Sequence, residues 1–136
     1  MVCIKCGGKT RVLNSRLQKR NNQVWRRRQC RTCHMIFTTE EAAQYEAVWL
    51  VLSTNSTYSP FSKNKLLLSL LKSCQHRSNA LKDAEALSET VVRKLQPKYI
   101  DGVISAHTIA QVAQVALNRF DQAASVNYGA FHQIKN

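Results

Sequence analysis

Acidic side chains are scarce in this chain: Asp and Glu together number eight among 136 residues, against twenty Lys and Arg. Only one of the eight, Glu40, falls in the first forty positions. Paired-carboxylate catalysis therefore has little material to work with. Other catalytic signatures are missing as well: no GxxxxGK[ST] phosphate loop, no GxSxG elbow and no HExxH pair. No apolar run approaches a membrane span, and the longest, Leu66–Leu71, is interrupted by Ser69. Cys3, Lys5 and Cys6 stand where a secretory leader would carry its apolar stretch, so a reducing cytoplasm is the expected compartment, with no membrane partner. There are no internal repeats. The first forty residues also have too few large apolar side chains to form a core, so this part of the chain needs a staple.

Four cysteines can supply it. Cys3-x-x-Cys6 and Cys30-x-x-Cys33 are matched pairs, each followed by a turn, Gly7-Gly8 and His34. Two intervening residues let a tight turn aim both thiolates at one metal, and two such turns complete a tetrahedral zinc site. One zinc ion per chain is expected, held by Cys3, Cys6, Cys30 and Cys33. Cys30-Arg-Thr-Cys33-His34 also fits c-type haem attachment, but that leaves Cys3 and Cys6 unexplained. A dithiol redox centre would want one pair opening a helix beside a βαβ unit, and neither pair has that setting. His34, His76, His107 and His132 are taken as non-ligands, and Cys74 as a small core residue on a helix face.

The stretch between the knuckles is rich in arginine. The first forty residues hold ten Lys or Arg, a net +9 out of the chain's +12. Arg26-Arg27-Arg28 precede Cys30 and Arg31 lies inside the second knuckle, while Arg11, Arg16, Lys19 and Arg20 line the opposite limb. Clustered Arg on a small rigid unit is the footprint that phosphates select. Strand alternation divides Arg26–Arg28 between two faces; Trp25 has two readings, a ring that stacks on a base or a cover for the small ribbon core, and the cover is the expected one.

Short strands are expected at Arg11–Leu13, Gln23–Arg26 and Met35–Thr39, with a turn at Lys19–Asn22 where the Asn pair tolerates left-handed backbone. Glu40–Ala47 reads as a helix-favouring acidic joint. Val48–Leu52 reads as a buried strand and Ser53–Ser59 as a hairpin turn. Three helices follow. The first buries Leu66, Leu67, Leu70, Leu71 and Cys74 behind an N-cap at Ser62. The second buries Ala84, Leu87, Val91 and Leu95, and Pro97 stops it. The third carries Ile109, Val112, Ala113, Ala116, Leu117 and Phe120 behind Ser105, after a turn at Asp101-Gly102. Ala123–Ile134 is read as a final helix packing Val126, Tyr128 and Phe131.

Cys3-x-x-Cys6, Thr10-Arg-Val12, Asn14-Ser-Arg16, Arg26-Arg-Arg-Gln-Cys30, Cys33 and Phe37-Thr-Thr-x-Glu41 resemble the zinc ribbon of the NrdR family in order and spacing. Those proteins are bacterial repressors of ribonucleotide reductase genes. Val51 to Leu66 and Asp121 to His132 are similar to parts of that family's second domain, an ATP-cone. The resemblance implies an α+β chain: a three-stranded zinc ribbon at 1–40, a short linker at 41–47, and a mostly helical cone with an N-terminal β-hairpin at 48–136. It implies double-stranded DNA contacts at Arg11, Arg16, Arg26, Arg27 and Arg28, assisted by Lys9 and Arg31. It also implies ATP or dATP in the cone, with Lys65 on a phosphate, and homo-oligomers. The family's hairpin Lys-Arg pair and Gly turn are represented here by Ser53, Thr54 and Ser56, and a usual Tyr and Arg by Ser125 and Asn127. Two lost cations remove charge-assisted bonds of roughly 1.5–3 kcal/mol each, a degenerate nucleotide site. The expected protein is a non-enzymatic, nucleoid-associated DNA-binding regulator of the repressor type. The alternative is a ribbon that docks proteins and binds neither DNA nor nucleotide.

Overall fold

The computed structural model describes residues 1–132 and divides into two compact units, Met1–Ala43 and Gln44–Asn136. In the first, β1 (Thr10–Gln18), β2 (Gln23–Cys30) and β3 (Ile36–Ala42) form an antiparallel sheet with β2 in the centre. Asn22 turns the β1–β2 hairpin with a left-handed φ of 51°. All three strands run past the limits expected from the sequence. The sheet has little interior, so backbone pairing sets the strand ends rather than apolar alternation. The same pairing overrides helix propensity at Glu40–Ala47: Glu41 opposes Val24 and Ala42 opposes Gln23, leaving helical geometry only in a 3-10 turn at Tyr45–Ala47. The buried residues of this unit are Cys3, Cys30 and Phe37, with Cys33 and Met35 packed against them. Trp25 does not belong to that cluster, contrary to the expectation from sequence.

The second unit begins with the 3-10 turn and Trp49, then β4 (Leu50–Leu52) and β5 (Tyr58–Pro60), an antiparallel hairpin. α1 (Lys63–Ser73) and α2 (Ala80–Leu95) follow. The chain then returns to the sheet as β6 (Val103–Ser105), parallel to β4, so the order is β5-β4-β6. No strand is expected from the sequence at Val103–Ser105, where only the Asp101-Gly102 turn and the Ser105 cap are signalled. Asp101 (φ 49°) and Gly102 (φ 86°) make the turn into it, and the Leu50 amide donates to the Gly102 carbonyl at 2.9 Å. α3 (Ala106–Phe120) and α4 (Gln122–His132) complete the unit.

The caps act as the sequence implies. Ser62 Oγ accepts from the Lys65 amide at 3.2 Å and Ser105 Oγ from the Thr108 amide at 3.0 Å. Leu66, Leu70, Cys74, Ala84, Leu87, Val91, Leu95, Val112, Ala113, Ala116, Leu117 and Tyr128 are buried in one core. Burial pushes the Cys74 thiol up, as fits a packed core residue. Along α4, Tyr128 is buried, whereas Val126 and Phe131 face outward; Gln133 and Ile134 lie outside the described residues. The expected partnership of all three side chains fails because their spacings do not place them on one helix face.

Asp121 joins α3 to α4. Its Oδ1 accepts from the Ala124 amide at 3.0 Å, and its Oδ2 meets His76 at 3.0 Å and Arg77 at 2.9 Å. The Ala124 amide first, then His76 and Arg77, hold this carboxyl well below the usual carboxylate range. Arg77 also pairs with Asp83 at 2.7 Å and lies 4.5 Å from the centre of the Phe120 ring, which remains at the surface.

Tyr45, Phe61 and Tyr99 surround Trp49 with ring centres 4.8, 5.3 and 5.4 Å away. This cluster fastens the entry of the chain to the sheet. Trp49→Ala should therefore cost about 3–5 kcal/mol and lower the thermal midpoint of this unit by more than about 10 °C, as read by circular dichroism.

Candidate metal centre and nucleic-acid interface

The two knuckles are built alike. Gly7, at φ 69°, lets its amide return to the Cys3 carbonyl at 3.0 Å; His34, at φ 58°, makes the corresponding turn before Met35, whose carbonyl accepts from the Cys30 amide at 2.9 Å. The knuckles approach so closely that a Cβ on Gly8 would lie 2.7 Å from Thr32 Oγ1 and 3.3 Å from Cys6 Sγ. All four sulfurs fall within 4.8 Å of one another, with Cys3–Cys33 at 3.6 Å and Cys6–Cys30 at 3.5 Å. A tetrahedron with metal–sulfur bonds of about 2.3 Å has edges of about 3.8 Å.

Backbone amides support the thiolates: Lys5 donates to Cys3 Sγ at 3.4 Å, and Thr32 and Cys33 donate to Cys30 Sγ at 3.3 and 3.4 Å. The Cys33 amide, with Thr32, lowers the Cys30 thiol to about 6. The Gly8 amide pulls Cys6 the same way, but the neighbouring sulfurs of Cys33 and Cys30 push it up to about 11. Four such thiols cannot all ionise together unless a cation balances them, and a divalent ion does so. Spacing, edge lengths and amide support thus fit one zinc ion, whose contribution is structural: it clamps the knuckles together. The histidines stay outside this cluster.

The basic side chains fall into two sets. Residues directly opposite in an antiparallel pair lie side by side on one face. One face carries the rows Arg11–Gln29–Ile36, Asn14–Arg27–Thr38 and Arg16–Trp25–Glu40. The other carries Val12–Arg28–Phe37, Ser15–Arg26–Thr39 and Leu17–Val24–Glu41. Arg11 and Arg16, five residues apart, share a face only because the register shifts between Val12 and Asn14, a bulge that absorbs Leu13. On the face shared with Phe37, Arg26 is paired with Glu41, and Arg28 Nε donates to Thr39 Oγ1 at 3.0 Å. On the opposite face Arg11 donates twice to Gln29 Oε1, at 2.7 and 3.1 Å, while Arg16 and Arg27 are exposed. Lys9 and Arg31 are exposed between the knuckles, where the Arg31 amide donates to the Lys9 carbonyl at 2.9 Å.

In the second unit Lys65 lies on a groove of about 290 Å³ with Leu68, Ser69, Lys72, Phe131 and His132. Lys72 is not among the site residues expected from the sequence, and His132 is expected there only as a non-ligand, although Lys65, Leu68, Ser69 and Lys72 stand at helical i, i+3, i+4, i+7 spacing. His132 stacks on Tyr128 at 4.1 Å and meets Ser69 Oγ at 2.6 Å. Ser53, Thr54 and Ser56 occupy the turn between β4 and β5 and give it no positive charge.

The chain is thus a four-sulfur ribbon studded with arginine, followed by a separate hairpin-and-helix unit. Residues 1–41 match the family described as "Transcriptional repressor NrdR-like, N-terminal domain", and residues 50–132 match the ATP cone domain. Over 124 residues the chain is 32% identical to a transcriptional repressor NrdR of Geobacillus kaustophilus, covering 91% of this chain and 80% of that one. It is 32% identical over 134 residues to the repressor of that name from Heliobacterium modesticaldum, covering 98% and 87%. With the repressor from Bacillus cytotoxicus it shares 33% over 124 residues, covering 91% and 80%. The chain belongs to the NrdR family, a family of zinc-dependent transcription regulators and not of enzymes. Among the described residues no helix is long and apolar enough to cross a membrane.

Proposed function

We propose that the chain is a transcriptional repressor that occupies duplex DNA through its ribbon, acts in the cytoplasm at the nucleoid, and self-associates through its second unit. Residues 1–40 bind DNA, 41–47 link, and 48–136 form the oligomerising cone. Zinc on Cys3, Cys6, Cys30 and Cys33 holds the hairpin; Arg11, Arg16, Arg26, Arg27 and Arg28, with Lys9 and Arg31, supply the positive field that draws the duplex, and the arginines of one sheet face reach its phosphates and base edges. The observation that carries this reading is the concentration of cations on a sheet whose own thiolate clamp keeps it rigid. One ribbon covers little DNA, and pairing ribbons through the cone multiplies affinity by effective concentration. If about six phosphates are neutralised, log K should fall with log salt at a slope near −5, measured by fluorescence anisotropy across a salt series. A salt-insensitive interaction, or none, would refute DNA occupancy.

The cone's nucleotide site is degenerate on this reading. Lys65 remains, while the β4–β5 turn offers only Ser, Thr and Asn. The loss of two cations predicts ATP and dATP affinities about a hundredfold below those of a fully charged site. Calorimetry with each nucleotide and magnesium checks this, and tight binding of either would show that Lys65 and Lys72 suffice.

A further inference from the structure

The ribbon carries a large aromatic side chain outside its buried cluster. The buried cluster of this unit, Cys3, Cys30 and Phe37 with Cys33 and Met35, lies at the thiolate end and on the Phe37 face of the sheet. Trp25 is in the central strand on the opposite face and is half-buried. It stands in the row Arg16–Trp25–Glu40, next to the row Asn14–Arg27–Thr38. Among the described residues the three arginines of that face, Arg11, Arg16 and Arg27, pair with no carboxylate, whereas Arg26 on the reverse face is neutralised by Glu41. The anion in the Trp25 row, Glu40, sits on the outer strand β3, and the cation, Arg16, on β1. Phosphates are thereby favoured over β1 and the centre of the sheet and disfavoured over β3. The indole stands between them, at the edge of the positive field.

We propose that the Arg11–Arg16–Arg27 face is the one that meets the duplex, and that Trp25 is its stacking residue, set against bases in the groove the hairpin enters. The inference rests on the reading of the ribbon as a DNA-binding unit and adds to it a contact that is not electrostatic. A flat apolar ring flanked by guanidinium groups can insert against a base step while the cations hold the backbone on either side. Such a contact parts a base step to reach its π-faces, at a cost in unstacking, and it is lost on truncation without changing the number of phosphates neutralised. Trp25 therefore contributes to affinity but leaves the salt slope unaltered, which separates it from every arginine around it.

The chain's other tryptophan, Trp49, is 6% exposed and belongs to the second unit, so DNA-dependent changes in indole emission report Trp25. The experiment titrates the zinc-loaded full chain with a short mixed-sequence duplex and compares Trp25→Leu and Trp25→Phe. Zinc content and thiol protection establish that each variant keeps its clamp. The duplex should quench emission of the wild-type chain and leave that of Trp25→Phe unchanged. Trp25→Leu, which keeps apolar bulk but cannot stack, should bind about tenfold more weakly, and Trp25→Phe within about threefold of wild type, all with one salt slope. Unchanged emission, with Trp25→Leu binding as tightly as wild type, would overturn the assignment of Trp25 while DNA binding itself stood. No binding by the wild-type chain at any salt would remove the functional reading, and this inference with it.

Discussion

Replacing Cys30 with serine should unfold the ribbon, reduce bound zinc from one per chain to none, and abolish retention on DNA. The side chain is fully buried, its sulfur accepts two amide hydrogen bonds, and it lies 3.5 Å from Cys6 Sγ. Structural zinc contributes about 10–16 kcal/mol to small metal-held units. Against that, the ribbon buries one large apolar side chain, Phe37, apart from its cysteines. No apolar reserve remains once the clamp opens. A strong chelator should have the same effect on the wild-type chain, and re-adding zinc should reverse it. Metal analysis, thiol titration and chemical-shift dispersion of the ribbon residues provide the readout. A metal-free chain that kept a dispersed ribbon spectrum would mean that the thiolates are not the clamp. Cooperative unfolding of Gln44–Asn136 should survive in the variant, because that unit has its own core.

The parts of the structure legible in the sequence are those fixed by local chemistry. Two CxxC pairs declare a tetrahedral site because the ligand atoms themselves set the geometry. Ser62 and Ser105 declare helix starts because a hydroxyl at an N-cap satisfies an amide that nothing else nearby can reach. What stayed hidden depends on partners distant in the chain. β6 is three residues long and exists by pairing with β4 across two intervening helices, so no periodicity announces it. Glu40–Ala42 has helical propensity and lies in a strand because Gln23–Trp25 hold it there. The Asp121–His76–Arg77–Asp83 network joins segments more than forty residues apart. The sequence alone points Trp25 to the ribbon core because aromatics on small sheets usually cover one; its side of the sheet follows from pairing register, which depends on partners elsewhere in the chain. The bulge at Leu13 is the most consequential of these. It reverses the parity of β1, and no residue there signals it.

That parity makes the arginines unequal, and charge substitution should expose the difference. Arg11→Glu, Arg16→Glu and Arg27→Glu combined should weaken duplex binding by at least about a thousandfold, since three charge-assisted contacts of roughly 1.5–3 kcal/mol disappear. The salt slope should fall from near −5 to near −2, as about 0.9 is lost for each phosphate no longer neutralised. Arg26→Gln with Arg28→Gln should cost less than about tenfold. Arg26 is already paired with Glu41 and Arg28 with Thr39, so each would have to exchange an internal partner for DNA. Glutamine is the substitution of choice there, because a carboxylate beside Glu41 would destabilise the sheet and confound the result. Anisotropy titrations on zinc-loaded protein measure both sets. Equal losses from the two would show that both faces meet the duplex. A larger loss from Arg26 and Arg28 would turn the ribbon over and place Phe37, rather than Trp25, toward the DNA.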